Sequence, residues 1–303
     1  MQKISTKIVF FGSGPVAAKS LKLLLGDLRL EAIITKPTPN PKDTNPVLDI
    51  AKAEKIPYFT TTNRSELDII ILKNSFKSQV AIIIDFGIII SQKVIDHFPK
   101  GIINSHFSLL PKWRGADPIS FAILNGDRLT GVSLMLINEK MDEGRLLCQE
   151  PLAIDHKSSV ELTSELIKLS HKMIKNTLAG YLSNSLKSYP QSNKIKPSYS
   201  RKLTKEDGQI DWSKSAKDIE RQIRAFIIWP KSYTNIFGIP IIITKATASQ
   251  TKDKTGKIIY DKKSLQVACA KGSLNILKLK PAGKNEMEIA SFIAGYKNQF
   301  KKT

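Results

Sequence analysis

An α/β chain of two domains is predicted by three features of the sequence. Short apolar runs ending in glycine- or proline-bearing loops alternate with helical segments as far as residue 184. Residues 185–202 then lose all periodicity around Pro190 and Pro197, and from 203 to 303 short strand-like runs are separated by glycine turns. Runs apolar on both faces belong to strands covered on both sides, so residues 1–184 are expected to form a Rossmann-like domain with a mostly parallel sheet. Residues 185–202 are read as a linker and 203–303 as a small OB-like β-barrel.

Lys7 to Phe11 runs into Gly12-Ser13-Gly14-Pro15, and Val16 to Leu25 has helical character, which opens a βαβ unit. The full G-x-G-x-x-G is absent because position 17 is Ala, which argues against a dinucleotide site. Leu30 to Thr35 is a second strand, after which Pro37, Pro39, Pro41 and Pro46 preclude a regular element and leave a surface loop. Val47–Glu54 and Ser65–Asn74 read as amphipathic helices and Val80–Ile84 as a buried strand. Asp117-Pro118 starts a helix that ends near Asn125-Gly126. Thr130–Ile137 and Arg145–Leu152 read as strands of a hairpin with Asp142 at the turn. Ser158 and Glu161 make a capping box for a long helix whose apolar face is Leu162, Leu166, Leu169 and Met173.

In the second domain, Ser215–Phe226 is an amphipathic helix with Ile219, Ile223 and Phe226 inward. Tyr233–Ile236, Ile239–Thr244, Lys257–Tyr260, Leu265–Ala268 and Leu274–Leu279 are the strands of the expected barrel.

The 303 residues carry 47 Lys+Arg against 27 Asp+Glu, a formal +20, with 41% hydrophobic residues. That length supports two cores, and the charge favours a polyanionic partner, either RNA or an anionic surface. Residues 201–303 hold 21 basic and 9 acidic residues against 26 and 18 in residues 1–200, so the last third is the more basic per residue. Cys148 and Cys269 fall in different domains without metal-like spacing, which points to neither a disulfide framework nor a zinc site and to a reducing compartment, the cytoplasm. The apolar run Ile8–Phe11 is too short for a signal segment, and nowhere do about 18 uncharged apolar residues run together, so no membrane span is expected.

The most informative stretch is Gly101 to Pro118, GIINSHFSLLPKWRGADP. Ile102-Ile103 ends a buried strand, so Asn104 and His106, two positions apart, lie on the same side of the pleat. An amide donor beside an imidazole suits a site where negative charge develops on a carbonyl oxygen. Neither is a good nucleophile in this company, so the pattern points to acyl transfer between two bound substrates, with the protein supplying position and oxyanion stabilisation. Taken alone, such a pair at a strand end is more often a hydrogen-bonded loop pair than a catalytic one.

The string N-x-H-x-S-L-L-P-x-x-R-G resembles the signature of the folate-dependent formyltransferases, and Met141-Asp142-Glu143-Gly144 matches the D-x-G turn that completes their site. The resemblance continues through Tyr199–Glu206, Ile210-Asp211-Trp212, Arg224-Ala225-Phe226, Trp229-Pro230 and Pro281–Lys284, so it covers nearly the whole chain and points to the members that formylate methionine on initiator tRNA. It implies catalytic roles for Asn104, His106 and Asp142, and a donor, 10-formyltetrahydrofolate, held by Phe86, Gly87, Ile88, Ser108, Leu109, Leu110 and Pro111. It also implies that Lys36, Lys42, Arg114, Lys202, Lys262, Lys263, Lys278 and Lys280 contact the initiator methionyl-tRNA. No metal is implied, and a monomer is expected. The chain departs from the family at Gly12-Ser13-Gly14-Pro15, at Asp85, where a small residue is expected, and in residues 36–46, which keep two lysines and no arginine. Two alternatives stay open. One is a formyl-folate enzyme for a small substrate, which has no use for a long basic surface. The other is a non-catalytic RNA-binding protein, which has no use for intact Asn104, His106 and Asp142.

Overall fold

The computed structural model describes residues 6–38, 40 and 44–300. They fall into two compact units. The first comprises the chain up to Pro118, Leu129–Ala153 and Thr163–Ser200; the second comprises Ile119–Arg128, Ile154–Leu162 and the chain from Arg201 onward.

The first unit begins with β1 (Lys7–Gly12), α1 (Gly14–Leu24), β2 (Arg29–Thr35), α2 (Pro46–Ala53), β3 (Tyr58–Thr60), α3 (Arg64–Asn74), β4 (Ala81–Ile84), α4 (Gln92–His97) and β5 (Ile102–His106). Local chemistry sets several of the helix starts. The Asn45 carboxamide accepts from the N–H groups of Val47 and Leu48, with Pro46 leading α2, while Asn63 caps α3 and Ser91 caps α4. The chain continues through β6 (Arg114–Gly115), α5 (Pro118–Asn125), β7 (Leu129–Leu136), β8 (Leu146–Ala153), α6 (Ser159–Leu182) and β9 (Tyr199–Ser200). The expected capping box forms ahead of α6: Ser158 N–H donates to Glu161 Oε2 at 2.8 Å, and Glu161 N–H donates to Ser158 Oγ at 3.4 Å.

Seven strands form one sheet in the order β3-β2-β1-β4-β5-β7-β8, parallel from β3 to β5, with β7 and β8 antiparallel at the end. Apolar strands covered on both faces make this arrangement, as the sequence predicts. Val9, Phe11, Ile34, Ile83 and Ile102 pack with Leu67 and Val94 from the helices and with Phe98 just after α4. Phe86, expected to wall the folate, belongs to this core: it is 3% exposed and meets Phe11 edge to face at 5.6 Å. A phenyl ring buried here leaves the backbone of Phe86, not its ring, to meet a ligand.

In the second unit α7 (Ala216–Ala225) is capped by Ser215, and β10 (Ser232–Ile236), β11 (Ile239–Ser249), β12 (Ile258–Tyr260), β13 (Leu265–Ala268), β14 (Ser273–Pro281) and β15 (Met287–Glu288) precede α8 (Ile289–Phe300). The sheet runs β10-β11-β14-β13-β12 with β15 on β14, all antiparallel; its end strands do not pair, so it is an open, OB-like half-barrel. Ile219 and Ile223 of α7 pack into it with Ile241, Ile243, Leu265, Leu274, Ile276, Leu279 and Phe292. The sequence reading did not find α8, α4, or the short strands β3, β6, β9 and β15, and it ended β11 five residues early. Among the described residues, no helix is long and apolar enough to cross a membrane.

The segment expected to be a free linker is tied along the first unit as far as Ser200. Tyr189 and Leu146 exchange backbone hydrogen bonds at 2.7 and 2.8 Å, and β9 pairs in parallel with β6. Irregular backbone has no local partners, so it finds them on the neighbouring hairpin and loop.

Candidate active site

β5 carries the central residues. Strand alternation places Ser105 on the face opposite Asn104 and His106, where its hydroxyl bonds that of Ser170 on α6 at 2.7 Å. Asn104 stands beside Ile83 of β4 and Met135 of β7, and His106 beside Ser133.

The loop after β5 is held from below by Ser133. Its Oγ accepts from Leu110 N–H (3.0 Å) and Gln149 Nε2 (2.7 Å) and donates to the Ser108 carbonyl (2.6 Å). Ser108 is fully buried and gives its own hydroxyl to the Lys112 carbonyl at 2.6 Å, while Leu110, 3% exposed, packs on Met135 and Leu146. The side chains of Ser108 and Leu110, both expected at the folate, are engaged within the loop. Pro111 is likewise buried, and Leu109 is half-buried.

The loop then turns its backbone into the site. Trp113, at φ 57°, aims its carbonyl at His106 Nε2, 2.9 Å away. A carbonyl only accepts, so Nε2 carries the proton, and Nδ1 faces Asp142 Oδ2 at 3.7 Å. That distance is long for a hydrogen bond but close for charge attraction. Asp142 Oδ2 also accepts from Gly115 N–H at 2.7 Å, and Oδ1 lies 3.4 Å from Asn104 Nδ2. One carboxylate thus joins the strand, the imidazole and the loop backbone.

Two glycines permit this closeness. Gly115 has φ +114°, and a Cβ there would stand 2.1 Å from the Ser200 carbonyl oxygen, so any side chain would break the β6–β9 pairing. A Cβ on Gly144 would meet the Leu136 carbonyl oxygen at 1.6 Å, which explains why the Asp142 turn ends in glycine.

Arg114, expected at the tRNA, is held inward by its neighbours. Its side chain is 9% exposed, its guanidinium pairs with Glu143 at 2.9 Å, and it donates to Gln191 Oε1 at 2.8 Å. Gln191 Nε2 in turn donates to the carbonyls of Asp142 (2.7 Å) and Gly144 (3.0 Å). Arg114 and Gln191 therefore clamp the acidic turn. Sequence reasoning missed Gln191, along with Ser198, whose hydroxyl accepts from Trp113 N–H at 3.0 Å. Both lie in the aperiodic segment, where a polar side chain carries no positional signal.

On the β4 side, Gly87 is exposed, Ile88 is half-buried and Ile89 is 68% exposed. Lys36, just after β2, donates to the Gly87 carbonyl at 3.2 Å. Solvent reaches Asp85, yet the surrounding loops strip enough hydration to push its carboxyl up to about 6; Lys36 opposes the rise and Asp117 adds to it. Lys42 lies outside the described residues. In the second unit Lys202, Lys262, Lys263 and Lys280 are exposed, whereas Lys278 pairs with Glu288 at 2.8 Å and its ammonium is held above its ordinary range by that carboxylate.

Comparison with known proteins agrees with the fold and the motif. Residues 33–178 match the family model described as formyl transferase, and residues 202–297 match the formyl transferase C-terminal domain. A methionyl-tRNA formyltransferase of Myxococcus xanthus is 32% identical, with 96% of this chain and 95% of the relative covered; one from Coxiella burnetii is 33% identical with the same coverage. Among solved structures, an N-formyltransferase from Helicobacter canadensis, crystallised with folinic acid and dTDP-3-aminofucose, superposes with a TM-score of 0.68 at 20% identity over 89% of this chain and 98% of the other. HypX from Aquifex aeolicus gives a TM-score of 0.67 at 15% identity, covering 97% of this chain and 48% of the other. These two likenesses speak for the fold alone. With both domains matched and relatives above 30% identity along almost the full chain, this protein belongs to the formyl transferase family, alongside the methionyl-tRNA formyltransferases.

Proposed function

We propose that this chain transfers the formyl group of 10-formyltetrahydrofolate to the amino group of methionine esterified to initiator tRNA. The observation that carries the reading is the constellation in which Asp142 meets Asn104, His106 and the Gly115 N–H. In it, Asn104 offers its second Nδ2 hydrogen to the oxygen of the formyl group as the acceptor amine adds to its carbon, His106, fixed between the Trp113 carbonyl and Asp142, stabilises the charge developing there through the electrostatics of its ring, and Asp142 holds both in place. The bond from that carbon to the folate nitrogen then breaks. The exposed residues Gly87 and Ile89 suit a flat heterocycle whose edge alternates donors and acceptors. The exposed lysines of the second unit suit the phosphates of the tRNA. The test is formyl transfer to charged initiator tRNA beside free methionine and nucleotide sugars. Transfer to the tRNA alone is expected, and transfer to a sugar nucleotide alone would replace this reading with that of a small-substrate enzyme.

A further inference from the structure

β1 lies between β2 and β4, so the chain's crossovers diverge on either side of the crevice between the ends of β1 and β4, the place where open α/β sheets receive ligands. Two loops meet there. Ser13 N–H donates to the Asp85 carbonyl at 2.8 Å, and Ser13 Oγ bonds the carbonyls of Asp85 (3.1 Å) and Phe86 (3.0 Å). Those bonds hold Asp85 at φ 50°, a conformation that a residue with a side chain adopts at a cost. Its carboxylate rests over Gly14, with Oδ2 3.8 Å from where a Cβ would stand. Among the described residues, no hydrogen bond or ion pair reaches that carboxylate. Among the described residues, its charged surroundings are Lys36, following β2, and Asp117, preceding α5.

Asp142 is already engaged on both of its oxygens. One of its oxygens takes the Gly115 N–H and faces His106, and the other faces Asn104. Asp85 is the carboxylate left open. Ile83 stands directly beside Asn104 across the β4–β5 pair, so Asp85, just past the end of β4, lies at the same edge of the sheet as His106 at the end of the neighbouring β5.

We propose that Asp85 receives the acceptor substrate: its carboxylate hydrogen-bonds the ammonium of the aminoacyl ester and takes one proton from it before attack. This rests on Asn104, His106 and Asp142 being the transfer site. One N–H bond of the ammonium breaks as an O–H bond forms on Asp85. The freed lone pair makes the C–N bond to the formyl carbon, the bond from that carbon to the folate nitrogen breaks, and a second proton from the attacking nitrogen ends on the folate nitrogen. Asp85 returns its proton to solvent, and nothing is oxidised or reduced. An α-amine titrates near roughly 8, so a carboxyl lifted toward it is a better matched acceptor than an ordinary one.

The test uses the full chain with Asp85→Asn, since Asn tolerates the left-handed backbone, and Asp85→Ala as a second variant. Formyl transfer to charged initiator tRNA is followed from pH 5.5 to 9, and folate affinity is measured separately by titration. Asp85→Asn is expected to lower kcat/KM for the charged tRNA by about 100-fold near neutral pH with folate affinity unchanged. The deficit should close as pH rises past the titration of the acceptor amine, which is then already neutral. Lys36→Met should move the acid limb of the wild-type profile to higher pH, because Lys36 favours the charged carboxylate. A deficit equal at every pH, confined to KM, would overturn the proton role and assign Asp85 to a hydroxyl of the terminal ribose. Unchanged activity in both Asp85 variants would overturn the inference altogether. His106→Ala separates the two levels: if it is inactive while Asp85→Asn is normal, only this inference fails, whereas an active His106→Ala removes the site on which it rests.

Discussion

Asp142→Asn isolates the charge at the centre of the site. The amide oxygen can still accept the Gly115 N–H, and Asn fits the φ of 53° at this position, so the turn and its clamp by Gln191 should persist. What is lost is the negative charge 3.7 Å from His106 Nδ1, between side chains that are 12% and 6% exposed. At an effective dielectric of about 20 a full charge pair at that distance is worth about 4.5 kcal/mol. The residual amide dipole and solvent screening reduce the loss to about 2–3 kcal/mol, the range of a hydrogen bond to a charged group. If that attraction is exerted chiefly as charge develops in the transition state, kcat falls by about 30- to 150-fold. Single-turnover formyl transfer at saturating donor measures it, with folate affinity from a separate titration and thermal unfolding as the folding control. A drop smaller than about threefold, or a loss of folate affinity matching the loss of rate, would refute the assignment of Asp142 to transition-state charge.

Arg114→Met should destabilise the first unit by about 2–3 kcal/mol in urea unfolding, because it leaves Glu143 and Gln191 without their partner, while the salt dependence of tRNA binding stays as in wild type. Lys280→Ala should lower the log–log salt slope of tRNA binding by about 0.7–0.9, and Lys278→Ala should lower it less, since Glu288 already neutralises that ammonium; equal effects on filter binding would contradict the distinction. Asp207 is held at about 2, against an ordinary 3.8, chiefly by the Arg201 guanidinium, with burial opposing and the Thr204 N–H assisting. A carboxyl depressed in the folded state stabilises fully above its unfolded value, and that stability is lost as pH falls through the folded value. Asp207→Asn should therefore cost stability at pH 6, and the gap to wild type should narrow between about pH 4 and pH 2; a gap that widens in acid would show the sign to be wrong.

The alternation and local chemistry of the chain already specified much of this molecule. Strand parity alone put Asn104 and His106 on one face with Ser105 behind them, because a period of two needs no knowledge of neighbours. The doubly apolar runs specified parallel strands under helices, and the Ser158–Glu161 box specified the start of α6, since each depends on residues within a few positions. The tertiary structure decided what depends on distant partners. Arg114 could not be known as a buried clamp until Glu143 and Gln191 came to it from the hairpin and from the aperiodic segment. Ser108 and Phe86 turned inward because Lys112, Ser133 and Phe11 await them there, and Lys278 lost its free charge to Glu288 on an adjoining strand. Which side chain is spent on the fold and which is left for a ligand is a question of long-range pairing, and the Asp85 carboxylate meets no hydrogen-bonding partner among the described residues.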